Sequence, residues 1–162
     1  MKVLAIFACL VVGAVVVQGI CKDDLHRIKV QTQWNAVYNT HRDVVGKAAF
    51  RSLFKLAPDS RALFSKFDSD DTNSPKFQAH CARVLGGLGN VISELGDAEV
   101  YTSQLGHLAA FHSNIPNLKY EYFEQLGQVL EEIFSAAIDD YDNEAWADCY
   151  TDIIQGMTAQ LQ

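Results

Sequence analysis

Two histidines stand out for the company they keep. In FQAHCARVLGG, residues 77–87, His80 sits among Phe77, Val84, Leu85 and Leu88, and His112 closes the equally apolar run LAAFH, residues 108–112. The 32 positions from one to the other hold the end of one helix, a connection and most of another. Two helices joined in this way can face each other and present both imidazoles to one space. Phe50, Phe54, Phe64, Phe67 and Phe111 add aromatic walls. An apolar slot flanked by two imidazoles suits a flat hydrophobic cofactor with a metal centre, and haem is the obvious candidate. The competing reading is that each is a satisfied core histidine, and spacing alone does not separate the two.

The elements that position these residues read as helices throughout. Leu25, Ile28, Val30, Trp34, Val37 and Tyr38 recur at roughly helical spacing, as do Val44, Val45, Ala48, Ala49, Leu53 and Phe54, and then Phe77, Cys81, Val84, Leu85, Leu88 and Ile92. Further helices are expected over about 101–112, 120–138 and 144–161. Pro58, Pro75 and Pro116 each stand where a new segment begins, which suits a first helical turn, and Ser74 is a cap before Pro75. The runs 68–71 (DSDD) and 112–117 (HSNIPN) read as connections. Hairpin signals and sustained period-two alternation are missing. The expectation is one all-α domain of about seven helices.

That domain does not begin at residue 1. Lys2 followed by the apolar run 3–17, with Val17 and Gly19 small enough for a signal-peptidase site, has the form of a secretory signal over 1–19 and leaves a mature domain over 20–162. The run is short for a bilayer span, and no basic cluster follows it. Without residues 1–19 the chain carries twelve basic against twenty acidic residues, a formal charge of −8. These charges are dispersed, with no basic stripe for phosphate, so neither nucleic acid nor a membrane is an expected partner. The mature chain keeps Cys21, Cys81 and Cys149, an odd number that allows one disulfide and one remaining thiol in an oxidising compartment. Asp68, Asp70 and Thr72 resemble part of a calcium loop but lack its glycine and terminal glutamate, so a solvated connection is the better reading.

Across residues 22–160 the sequence resembles a globin. Trp34 matches the tryptophan near the end of that family's first helix, Gly46 the small residue of the second and Pro58 the proline opening the third. Phe64 falls at the haem-packing phenylalanine, with Phe67 three positions on. His80 and Val84 reproduce the distal His-x-x-x-Val pair, and Leu108 to His112 the Leu-Ala-x-x-His stretch that ends in the iron ligand. The resemblance therefore implies a globin fold around haem b, with His112 as proximal ligand to iron and His80 as distal hydrogen-bond donor to bound dioxygen. Val84 and Phe50 would crowd the distal side, and Leu108 would line the pocket. His107 competes for the proximal role but lies off-phase, and the motif favours His112.

Cys21, Val30 and Trp34 near the mature start, AHCARVLGGL over 79–88 and DNEAWADC over 142–149 look like the extracellular haemoglobins of annelid worms. That resemblance implies an intrachain Cys21–Cys149 disulfide, secretion into blood or body fluid, and assembly with other globin chains and non-haem linker chains. The extra cysteine that joins relatives covalently is replaced here by Asp139-Asp140-Tyr141, which argues against interchain disulfides. Three readings of Cys81 stand: a small hydrophobe packed against Gly46, a thiol that binds sulfide as in some annelid globins, and an interchain bridge. The function implied is reversible dioxygen transport rather than catalysis. The alternative is a secreted globin enzyme, a peroxidase or nitric-oxide dioxygenase, which would need a source of electrons.

Overall fold

A computed structural model describes residues 20, 21 and 23–161. The signal expected over 1–19 lies outside the described residues. Five α-helices and two 3₁₀ segments follow one another: α1 Asp24–Leu56, a 3₁₀ segment Pro58–Phe67, α2 Pro75–Ser93, a 3₁₀ turn Glu94–Gly96, α3 Ala98–Ser113, α4 Tyr120–Ala137 and α5 Asn143–Thr158. Among the described residues there is no strand, so the all-α expectation holds.

The helix starts are written in side-chain chemistry. Asp23 accepts from the Leu25 amide at 2.8 Å, Ser74 from Phe77 at 3.1 Å, Asp97 from Glu99 and Val100, and Asp142 from Ala145 at 2.9 Å. Each satisfies one or two of the amides that a first turn leaves without partners. α1 stops at Leu56, two residues before Pro58, whose ring disfavours a helical conformation at Ala57.

Two expectations need correction. The two apolar runs over 25–38 and 44–54 belong to a single 33-residue helix, α1, rather than to two. The stretch between them, residues 39–44, is exposed on every side yet contains neither glycine nor proline to break the helix. Leu25, Ile28 and Val44, although in helical phase with the core, are exposed. Pro116 does not open a helix. It occupies the second position of a turn closed by the Leu118 amide on the Ile115 carbonyl, with Asn117 at φ 63° as the third residue, and α4 begins only at Tyr120.

α1 packs on α2, α4 and α5, and α3 packs on α5. The larger core centres on Trp34, which stacks on Tyr38 at 5.3 Å and meets Phe134 and Trp146. A smaller core of Phe50, Leu53, Phe54, Phe77 and Cys81 lies where α1 crosses α2. Gly46 permits that crossing, since a Cβ there would stand 3.0 Å from the Cβ of Cys81. Cys21 and Cys149 are joined in a disulfide with Cα atoms 4.6 Å apart, as the resemblance implied. Around this link the Cys21 amide donates to Asp152 at 2.7 Å, His26 pairs with Asp148 at 2.9 Å and Lys29 pairs with Asp142.

Candidate functional site

A cavity of about 350 Å³ lies between the 3₁₀ segment and α2 on one side and α3, α4 and α5 on the other. That size falls within the range of pre-formed small-molecule sites, about 300–1,000 Å³. His80 and His112 both line it, together with Phe50, Phe64, Phe67, Val84 and Leu108. Phe111 also reaches it, whereas Phe54, expected as a wall, is not among the lining residues and packs instead in the smaller core with Phe50 and Phe77. His107 is exposed and is not among the lining residues.

On the α2 side the His80 ring lies flat on Phe67, centroids 4.0 Å apart and planes within 10°. Phe64 and Phe50 flank it at 5.3 and 5.6 Å. Its buried Nε2 has no hydrogen-bond partner among the described residues. A buried polar atom left alone is costly, so this nitrogen is built to meet something in the cavity. Burial, followed by the positive charges of Arg83 and Lys66, pushes the imidazole down to about 4, so it is neutral at physiological pH.

On the opposite side the His112 Nδ1 lies 3.3 Å from the Met157 carbonyl oxygen. A carbonyl only accepts, so Nδ1 carries the proton and Nε2 keeps its lone pair. Burial lowers the pKa of His112, and the Met157 contact partly opposes that shift. Phe123 meets the ring edge-on at 5.0 Å. Neutral, with one nitrogen tied back and the other free to coordinate, this imidazole has the form of a metal ligand.

The fit to haem can be tested on these features. The walls are aromatic and aliphatic, one imidazole has a free lone pair and the other an unpartnered nitrogen. At the rim, exposed Lys66 and Arg83 hold their charges 5.0 and 5.4 Å from the centre of the Phe67 ring. Those cations suit the carboxylates of a porphyrin, whose apolar face the phenylalanines would cover. The residues fit the group.

A globin family model matches residues 47–157 of the sequence. This chain belongs to the globin family. Among its relatives, the globin is 38% identical over 134 residues to the extracellular monomeric globin of Tubifex tubifex, covering 78% of this chain and 92% of that protein. It is 33% identical to extracellular globin-3 of Lumbricus terrestris, covering 87% and 85%, and 34% identical to extracellular globin-2, covering 82% and 93%. The structure of a hexacoordinated haem protein from an anhydrobiotic tardigrade superposes with a TM-score of 0.73 at 16% identity, over 85% of this chain and 94% of that one, which shows the shared fold. No helix among the described residues of the globin is long and apolar enough to cross a membrane.

Sequence reasoning missed several lining residues of the globin: Lys66, Arg83, Tyr122, Phe123, Tyr150 and Met157. Arg83, three residues after His80, was within reach of helical spacing. Tyr150 and Met157 were not, because only the packing of α5 against α3 and α4 brings them to the cavity. Cys81 is 3% exposed and turned into the crossing with Gly46, and burial pushes its thiol up to about 11.

Proposed function

We propose that this globin is a haem-dependent, reversible dioxygen carrier, secreted after loss of residues 1–19 and acting outside the cell as the domain 20–162. Haem b supplies the iron that binds dioxygen reversibly. His112 would hold that iron through Nε2, and the Met157 carbonyl keeps Nδ1 protonated so that the lone pair stays on the other ring nitrogen. His80 is held neutral by burial and offers an Nε2–H donor to a polar diatomic ligand while adding no charge to the cavity. Phe50, Phe64 and Phe67 would keep water from the distal side, Val84 and Leu108 shape the space, and Lys66 and Arg83 would hold the porphyrin carboxylates at the rim. The observation that carries the reading is the pairing of two imidazoles in one largely apolar cavity: one tied back at Nδ1, the other with an unpartnered Nε2.

Membership of a larger complex with other globin chains and linkers is what the resemblance of residues 79–88 and 142–149 to annelid extracellular haemoglobins implies. A second reading, a free monomer, is favoured by the description of the Tubifex tubifex relative as monomeric. The solution mass of the native protein decides between them. For Cys81, burial and the Gly46 contact support packing, and the geometry adds no support for sulfide binding.

The test of the carrier is an absorption spectrum of the mature ferrous protein with and without oxygen, beside His112→Ala. An intense Soret band that shifts reversibly with oxygen and collapses in the variant is expected. A chain without haem, or one locked by both histidines and indifferent to oxygen, would overturn the reading. Rapid turnover of peroxide or nitric oxide would favour the enzyme alternative instead.

A further inference from the structure

His112 is carried by α3, but its side chain is oriented from elsewhere. The Nδ1–H donates to the Met157 carbonyl, in the last turn of α5. α5 ends at Thr158, so this carbonyl is among the last four, which have no partner inside the helix. It also lies at the negative end of the α5 dipole. An acceptor of that kind fixes the tautomer and the rotation of the ring, and it pushes electron density towards Nε2.

One residue earlier is the feature that brings this acceptor within reach. A Cβ on Gly156 would stand 2.3 Å from Leu105 Cδ1, 3.1 Å from Cγ and 3.3 Å from Cβ. Leu105 precedes His112 by seven residues, two helical turns, and so lies on the same face of α3. The missing side chain at 156 lets α5 close on α3 there, and the next residue along α5 supplies the carbonyl to Nδ1. Thr158 keeps the turn closed through its hydroxyl, which donates to the Ile154 carbonyl. Further back, α5 is anchored to the start of the domain by the Cys21–Cys149 link and by Asp152.

We infer that the last turn of α5 is the positioning element for the proximal histidine: the Gly156–Leu105 crossing holds the Met157 carbonyl on Nδ1 of His112. The tautomer and azimuth of that ring are therefore set in trans, by a helix other than the one that carries it. The consequence at iron rests on the haem reading above, whereas the hydrogen bond is a property of the chain itself.

Two measurements test this. In the wild-type chain loaded with zinc protoporphyrin, a diamagnetic probe, the Nδ1–H proton of His112 is expected to show Overhauser contacts to protons of Met157 and Thr158. Contacts only to backbone protons of residues 108–111 would overturn the inference. In the ferrous, ligand-free haem protein, Gly156→Ala is expected to lower the iron–histidine stretching frequency and to speed haem loss by about 10-fold, with Leu105→Ala in the same chain restoring both. A folded, haem-loaded Gly156→Ala protein with an unchanged frequency would also overturn it, because loss of stability alone does not move that band. If the chain takes up no porphyrin the haem reading fails, and the Overhauser measurement on the porphyrin-free chain still decides the inference.

Discussion

Replacing Cys21 and Cys149 together by serine removes the one disulfide among the described residues without leaving either partner as an unpaired thiol. Little in the native state depends on it. The Cys21 amide still has Asp152, His26 still has Asp148, and the Trp146 indole still donates to Gln33 at 2.7 Å. The cost therefore arises in the unfolded chain, where the link closes a loop between residues 128 positions apart. The chain-entropy relation puts the loss at about 5 kcal/mol at 25 °C for a loop of this length. The two sulfur sites are 3% and 0% exposed, so each serine hydroxyl adds a desolvation cost on the order of 1 kcal/mol. Against a typical total of about 5–15 kcal/mol, the variant would lose a third or more of its stability, and a melting temperature about 10–20 °C lower is expected. Urea unfolding of the haem-free chain, followed by far-ultraviolet circular dichroism, gives the midpoint and the slope separately. The midpoint should fall and the slope rise, because the unlinked unfolded chain exposes more surface. A loss below about 2 kcal/mol with an unchanged slope would refute an effect exerted through the unfolded state.

Three further outcomes follow from particular groups. The folded value of His80, about 4, lies below its ordinary 6.5, so the unfolded chain takes up that proton first. Its contribution is flat above pH 6.5, costs stability as the pH falls from there, and levels off near 4, at up to about 3 kcal/mol before solvent screening reduces it. The difference in acid unfolding between wild type and His80→Phe, haem-free, measures this, and identical pH profiles would refute it. Tyr150→Phe removes the hydroxyl that donates to the Phe123 carbonyl at 3.0 Å, and should cost about 1 kcal/mol of stability by urea titration while leaving haem uptake intact. Cys81, with its thiol pushed up to about 11, should react with iodoacetamide at pH 8 at least about 100-fold more slowly than free cysteine. Labelling as fast as that of free cysteine would displace the packing role.

The two imidazoles and most of the phenylalanines around them were legible in the sequence because each belongs to a short pattern with fixed spacing, whereas the pairing of Cys21 with Cys149 came only from the resemblance to annelid globins. His80 and Val84 are one helical turn apart, and Leu108 to His112 is a contiguous run, so local periodicity carries them to the same face without knowledge of the rest of the fold. The helix starts were partly legible for the same reason: Ser74 before Pro75 is a local arrangement. Where the chain had a choice, tertiary structure decided. Nothing in residues 39–44 says whether α1 continues, and it does because no residue there breaks it and packing holds both ends. Leu25, Ile28 and Val44 have the right spacing for a core, but none of the described elements covers them. Most of the proximal side was illegible: Met157 and Tyr150 reach the cavity only because α5 folds back on α3 and α4. Gly156 carries no local signal that its missing side chain meets Leu105. The sequence by itself determined which groups could bind a metal and which faces they occupy. Only the tertiary structure decided which carbonyl holds His112 and which nitrogen of His80 is left without a partner, because those are contacts between residues far apart along the chain.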